Sequence, residues 1–255
     1  MASILPDITE NDVKALTERI RNAVKATGRK GVVIGLSGGI DSAVVAKLCV
    51  NALGSKNVMC VFMPSDATPS EDRKTTKELC AGWNAEYVIR DIQPAIDALT
   101  AAPDMNTPLS VGNMTARCRM AVLYNIANEN KRLVAGTTNR SEYMIGYFTK
   151  FGDGACDISP LSGHYKTQVR QIAKMLNIPD KIIKKTPSAN LWEGQTDEGE
   201  IGISYDILDP ILYMAEKGRT DKEISDAAGA SEEMIISVRR MISVSDHKRR
   251  MPIQP

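Results

Sequence analysis

The sequence predicts an α/β fold: a parallel sheet of strand order 3-2-1-4-5, doubly wound, with helices on both faces. Three observations carry this. Short β-branched runs alternate with longer segments of helical period, and strand, helix, strand in that order builds parallel βαβ units. The early runs, GVVIGL at 31–36 and VMCVFM at 58–63, are apolar without in-out alternation, as strands covered on both faces are. A glycine-rich turn, SGGIDS at 37–42, stands where the first strand passes into a helix.

Taken in order, Thr9 and Asp12 form a weak capping box ahead of Val13, Leu16, Ile20 and Val24, whose spacings of three and four make an amphipathic helix running up to Gly28. GVVIGL is the first strand, followed by a helix over 42–53, then VMCVFM, a helix over 71–83 and the strand EYVIRDI at 86–92. Helices fill the stretch between 94 and 130, and RLVAGT at 132–137 is the fourth strand. Residues 136–163 are rich in glycine and polar side chains, too long for an ordinary connection, and such segments serve function or move. A helix over 166–176 follows, then a second stretch with little to bury, KTPSANLWEGQTDEGEIGIS at 185–204. Thr220 and Glu223 form a better capping box opening a short helix, and 231–244 is the last helix. No repeat or low-complexity tract interrupts the pattern.

At 255 residues, with 43% apolar and 25% charged side chains, the chain reads as one globular domain over 1–255. No run approaches the roughly 20 apolar residues that span a bilayer. The N-terminus lacks a basic segment followed by an apolar one, so the expected setting is the cytoplasm. Cys49, Cys60, Cys80, Cys118 and Cys156 are scattered, mostly within apolar runs and without CxxC spacing, and read as reduced thiols. A net charge of +1 gives no global case for binding nucleic acid, although Arg239, Arg240, Lys248, Arg249 and Arg250 could form a local basic patch.

The turn SGGIDS carries the first chemical signal. A glycine-rich strand-to-helix turn presents backbone N–H groups and the positive end of the helix dipole, which together suit phosphate. No Gly-Lys-Ser/Thr follows, so the loop is not a Walker A motif, and it is not GxGxxG. Asp41 would repel bare phosphates, but with Mg²⁺ between them the carboxylate holds the metal and the metal holds phosphate oxygens. Ser37 and Ser42 add hydroxyls.

SGGIDS resembles the pyrophosphate-binding loop of the ATP pyrophosphatase superfamily, whose members cleave ATP between its α and β phosphates and transfer AMP. The later segments GNMTARCRM at 112–120, GTTNRSE at 136–142, YFTKFGDG at 147–154, DISPL at 157–161, PSANLWEGQTDE at 187–198 and DHKR at 246–249 then resemble the ammonia-dependent NAD synthetases, in order and over nearly the whole chain. The resemblance implies an adenine nucleotide alpha hydrolase-like fold. It also implies a ligase that adenylates the carboxylate of nicotinic acid adenine dinucleotide (deamido-NAD) with ATP, after which ammonia displaces AMP to give NAD.

It further implies that Gly35, Leu36, Ser37, Gly38, Gly39, Ile40, Asp41, Ser42, Thr137, Lys166 and Ser188 contact ATP. Asp41 and Glu142 would bind Mg²⁺, with Asp41, Glu142 and Lys166 serving the chemistry. Arg117, Lys150, Asp157, His247 and Lys248 would hold deamido-NAD. Because Asp41 and Glu142 lie just beyond the first and fourth strands, both are expected at the topological switch point. Lys166 would supply the charge that the glycine loop lacks. His164 is expected to be a loop residue rather than a general base. Asn190 replaces the aspartate usual in the family, and Ala155 and Cys156 stand where glycine is commoner.

Free ammonia is the expected donor, since glutamine-using members carry an additional amidohydrolase domain, although a separate glutaminase partner could supply it. A homodimer is implied, while neither nucleic acid nor membrane is expected as a partner. The rival within the superfamily is a tRNA-thiolating enzyme using Cys156 as nucleophile, which would need a reactive thiol and a basic RNA-binding surface.

Overall fold

The computed structural model describes residues 4–102, 106–192 and 194–250. Strands β1 (Val32–Gly35), β2 (Val58–Phe62), β3 (Glu86–Ile89) and β4 (Leu133–Ala135) form one parallel sheet of order β3-β2-β1-β4. The fifth position is marked by a single parallel bridge between Ala135 and Ile158 instead of a strand. Ile158 N–H donates to Val134 O and Gly136 N–H to Ile158 O, but Pro160 has no N–H with which to extend the ladder.

Helix α1 (Glu10–Ala26) opens on the Thr9–Asp12 capping box, and α2 (Ile40–Leu53) leaves the glycine turn. Leu16, Ile20 and Val24 of α1 pack with Val44, Leu48 and the outward side of β1, Val32 and Ile34. α3 (Ser70–Trp83) precedes β3, and α7 (Lys166–Met175) lies against α2. On the opposite sheet face Val33, Met59, Val61 and Val134 meet α4 (Gln93–Leu99) and α5 (Pro108–Glu129) through Ile96, Cys118 and Ala127. Helices therefore cover both faces, and α2, with nine buried residues, is largely apolar because most of it is enclosed. At about 1.5–3 kcal/mol for each large aliphatic side chain buried, these two layers hold the sheet.

A third apolar cluster is mostly helical. It joins α6 (Arg140–Ile145) to α10 (Tyr205–Glu216), α11 (Asp221–Ala228) and α12 (Glu232–Val244) through Met144, Leu208, Ile211, Leu212, Ile224, Ile235 and Val238. Two short helices, α8 (Asp180–Ile183) and α9 (Asp197–Ile201), lie between α7 and α10.

Besides the shortened fifth strand, several helices lie where the sequence pattern predicts none, α8 among them. The 136–163 segment contains α6, the 185–204 segment contains α9, and α10 occupies a stretch for which the pattern predicts no element. In α10 the apolar stripe of Tyr205, Leu208, Ile211 and Leu212 is present, but Pro210 in its middle argues against a helix on local grounds. Packing in the third cluster overrides that preference.

Four of the five C-terminal basic residues have partners, and Arg240 is exposed. Arg239 pairs with Asp221, Arg250 with Asp246, and Arg249 donates to the carbonyls of Met144 and Ile242. No described helix is long and apolar enough to cross a membrane.

Candidate active site

A cavity of about 350 Å³ opens where β1, β2 and β4 end, at the crevice between β1 and β4 where the strand order reverses. Its wall includes Gly35, Leu36, Ser37, Gly39, Ile40, Asp41 and Ser42 from the first strand-to-helix turn, and Thr137, Glu142, Lys166 and Ser188 from later segments. The turn is held internally. Ser42 Oγ donates to Gly39 O at 3.0 Å and accepts from Ser37 N–H at 3.2 Å, so the buried Ser42 hydroxyl shapes the loop. Gly38 stands outside the wall with φ +83, a left-handed conformation that favours glycine. Gly39 caps α2 without a side-chain hydrogen bond, leaving that helix start to backbone N–H groups.

Asp41 and Glu142 converge from the ends of β1 and β4, as expected for the switch point. Asp41 sits in the first turn of α2. Glu142 is the third residue of α6, where its Oε2 accepts from Asn139 N–H at 3.1 Å while Asn139 Oδ1 accepts from Glu142 N–H at 3.0 Å. This capping box aims the other carboxylate oxygen of Glu142 into the cavity. The fully buried Asn139 also donates from Nδ2 to Asp41 Oδ1 at 3.0 Å and so joins the two carboxylates.

Lys166 lies between them. Its Nζ is 2.6 Å from Asp41 Oδ2, 3.3 Å from Glu142 Oε1 and 4.0 Å from Asp197 Oδ2, with the side chain 2% exposed. The Tyr205 ring is 5.1 Å from the ammonium, and Tyr205 Oη donates to Asp197 at 3.1 Å. The start of α7 is tied down as well. Ser141 Oγ accepts from Lys166 N–H at 2.9 Å and donates to the buried Asp209 at 2.5 Å, and Asp209 accepts from Thr167 N–H at 2.7 Å. Lys166 is thus fixed from α6, α7, α9 and α10 together.

One ammonium among three carboxylates leaves excess negative charge. Burial, reinforced by Asp41 and Asp197 against the opposing pull of Lys166, pushes Glu142 up to about 8. Burial likewise raises Asp197. For Lys166 burial opposes the charge, but Asp41, Glu142 and Asp197 outweigh it and hold the lysine above its ordinary value.

Among the described residues no group of three or more His, Cys, Asp or Glu side chains forms a closed metal centre. Two carboxylates that already share one cation fit Mg²⁺, which takes one or two protein carboxylates and completes its shell with waters and phosphate oxygens.

Of the residues expected at the dinucleotide, only Lys248 lines the cavity; its Nζ donates to Gly146 O at 2.8 Å and Phe148 O at 2.9 Å. Arg117, Lys150, Asp157 and His247 lie outside that wall. Arg117 Nη2 donates to Lys150 O at 3.4 Å and Lys150 Nζ to His247 O, placing these three side by side at the surface. Asp157 is exposed, and its Oδ2 accepts from Val134 N–H at 2.8 Å.

His164 is absent from the wall, packs toward Asp12 and Arg19, and is lowered chiefly by burial. Asn190 lines the cavity at φ +48, a left-handed conformation that Asn tolerates better than most residues.

Residues 12–252 match the NAD synthase family. The chain belongs to that family. An NH(3)-dependent NAD(+) synthetase from Methanocaldococcus jannaschii is 44% identical over 250 residues, 96% of each chain. Among solved structures, NMN synthetase from Francisella tularensis aligns with a TM-score of 0.87 at 37% identity over 98% of this chain and 99% of that one. NH3-dependent NAD synthetase from Campylobacter jejuni, in complex with nitrate, aligns at 0.81 and 32% identity over 95% and 96%.

Within the NAD synthase family frame the tRNA-thiolating reading finds no support. Cys156 Sγ lies 2.7 Å from where a Cβ on Gly136 would stand, pressed against the end of β4, and burial raises its thiol, the opposite of an activated nucleophile. Four site residues escape the motif reading: Asn139, Asp197, Tyr205 and Arg119, the last lining the cavity with its Nε donating to Met63 O at 3.4 Å. Asn139 was signalled by Asn-x-x-Glu, a capping-box pattern, whereas Tyr205 depends on α10 and had no local signal.

Proposed function

We propose that the protein is a C–N bond-forming ligase that amidates the nicotinate carboxylate of deamido-NAD with ammonia, using ATP as co-substrate. The convergence of Asp41, Glu142 and Lys166 at a glycine turn that has no cation of its own supports this most directly. A nicotinate carboxylate oxygen attacks the α-phosphorus of ATP, the bond to the bridging oxygen of the β phosphate breaks, and pyrophosphate leaves. Ammonia then adds to the acyl carbon of the adenylate, AMP departs with the electron pair of the acyl–oxygen bond, and nitrogen loses a proton to leave the amide.

On this reading the turn from Gly35 to Ser42, with Thr137, Lys166 and Ser188, binds ATP. Asp41 and Glu142 would hold Mg²⁺, which when bound neutralises charge on the leaving pyrophosphate. Lys166 stays charged throughout the neutral pH range, opposing the excess of carboxylate as phosphates approach. Asn139 and Asp209 keep these groups in place, so alignment costs no rearrangement during reaction. Lys248, Arg117, Lys150, Asp157 and His247 serve the dinucleotide, with the surface trio of Arg117, Lys150 and His247 meeting its distal half.

We further read the protein as a single synthetase domain that takes free ammonia, works in the cytoplasm and acts as a homodimer. The 51% exposed Leu99 and 66% exposed Leu109 near the ends of α4 and α5 supply apolar surface for such pairing. Analytical ultracentrifugation tests the dimer.

The activity test is mass-spectrometric product analysis with ATP, Mg²⁺ and ammonium, offering deamido-NAD and nicotinic acid mononucleotide in parallel, with glutamine in place of ammonium and Asp41→Ala as controls. NAD, AMP and pyrophosphate appearing together, and vanishing in Asp41→Ala, support the reading. Amidation of the mononucleotide alone would replace the acceptor with that of the Francisella enzyme's reaction, and no amidated product from either would overturn the reading.

A further inference from the structure

Lys166 is enclosed by carboxylates and cannot by itself offset a triphosphate, so the other cations in the cavity wall matter. These are Arg119, Lys185 and Lys248. Lys248 spends its ammonium on the carbonyls of Gly146 and Phe148, and Arg119 reaches Met63 at the end of β2. Lys185 differs: its Nζ pairs with Asp72 Oδ1, and that same oxygen lies 3.0 Å from where a Cβ on Gly38 would stand. The pair therefore abuts the glycine turn.

Asp72, in the first turn of α3, is 3% exposed, and its Oδ2 is buried without a hydrogen-bond partner. An isolated buried carboxylate next to a phosphate loop would work against phosphate. With Lys185 bound to it, the balance changes. A lysine ammonium has three donors, and Asp72 engages one, leaving the others free for an oxygen in the cavity. The Lys185 side chain is 30% exposed and so remains accessible from the cavity while its head is anchored.

We infer that Lys185 is a phosphate-binding residue of this site, held toward the glycine turn by Asp72 as its positioning residue, and that it contacts the pyrophosphate portion of the nucleotide. This rests on the ATP-cleaving reading above. It assigns separate tasks to the two lysines: Lys166 balances the carboxylates of Asp41, Glu142 and Asp197, and Lys185 meets the leaving group directly.

The test is isothermal titration of the intact protein with magnesium pyrophosphate, comparing the unmodified chain, Lys185→Met, and the double variant Asp72→Asn with Lys185→Met. The double variant removes both members of the ion pair, so no buried carboxylate is left uncompensated, and thermal melting verifies that it folds. Loss of a charge-assisted contact is expected to weaken pyrophosphate binding about tenfold or more in both variants. If the double variant regains the unmodified affinity, the defect of the single variant comes from the bare Asp72 charge and the proposal is overturned. Unchanged affinity in both also overturns it. An unmodified protein that fails to bind magnesium pyrophosphate would remove the ATP-cleaving reading too, which separates the two failures.

Discussion

Replacing Lys166 with methionine, whose length and shape are close to those of the lysine stem, removes the cation shared by Asp41, Glu142 and Asp197 and leaves three carboxylates around an apolar tip. Breaking a buried ion pair from one side typically costs about 3–5 kcal/mol, because the remaining charge is uncompensated. For a chain of this size each kcal/mol lowers the melting temperature by roughly 2–4 °C, so a drop on the order of 6–20 °C is expected in metal-free buffer. The deficit has a sign with pH. The carboxylates become more fully ionised as pH rises, so the loss is larger at alkaline pH and shrinks on acidification, where protons neutralise the cluster. Millimolar Mg²⁺ restores part of the stability by returning positive charge to Asp41 and Glu142. Differential scanning calorimetry across pH, with and without Mg²⁺, measures all three effects. A shift below about 2 °C that ignores pH and Mg²⁺ would refute the claim that an ionised carboxylate cluster is held together by this lysine.

The remaining predictions concern the neighbours of that cluster. Because the folded-state value for Glu142 of about 8 lies above the usual unfolded value near 4.3, the folded protein binds the extra proton and its stability contribution is lost as pH rises between those values. Magnesium binding near neutral pH should therefore release a proton, which titration calorimetry in buffers of different ionisation enthalpy detects; no difference between buffers would contradict the assignment. Gly38→Ala places a Cβ at φ +83 and 3.0 Å from Asp72 Oδ1, so a loss of about 1–2 kcal/mol by chemical denaturation should accompany weaker ATP binding. Asp209→Ala strands Ser141 Oγ–H and Thr167 N–H inside the protein; a loss of about 2–4 kcal/mol is expected by urea titration, together with a lower turnover number at saturating ATP as Lys166 loses its anchor.

The sheet was legible because its central strands are covered on both faces and need dense apolar runs, while the edge strand β3 leaves Glu86 exposed. GVVIGL, VMCVFM, EYVIRDI and RLVAGT all contain strands, and the capping boxes at Thr9 and Thr220 mark real helix starts. The fifth strand was not legible as a bridge, since its shortening depends on Pro160 and on the turn that precedes it. Helix α10 was hidden by Pro210, a local penalty that its packing against α6, α11 and α12 outweighs. Among site residues, Asp41 and Glu142 could be located because both follow strands at the switch point. Asp197 and Tyr205 could not, since what makes them part of the site is a fold-back of α9 and α10 that no periodicity encodes. The expected ATP-site residues other than Gly38 gather in one wall, whereas Arg117, Lys150 and His247 meet at the surface through backbone carbonyls that sequence spacing does not reveal.

The anchoring of Lys166 through Asp209 and Tyr205 has a consequence for biosynthesis. All four strands and the glycine turn are complete once residue 135 has left the ribosome, so a nascent chain can assemble the sheet early. The clamp on the lysine arrives only with α10, some seventy residues later in translation. Prematurely terminated chains that end before Tyr205 would keep the phosphate turn but lack the tyrosine ring beside the ammonium and Asp209, which ties down Ser141 and the Thr167 N–H at the start of α7. Late completion of the clamp thus separates having a nucleotide pocket from having one whose lysine is held in place, and partial translation products that capture ATP would be poorly placed to consume it.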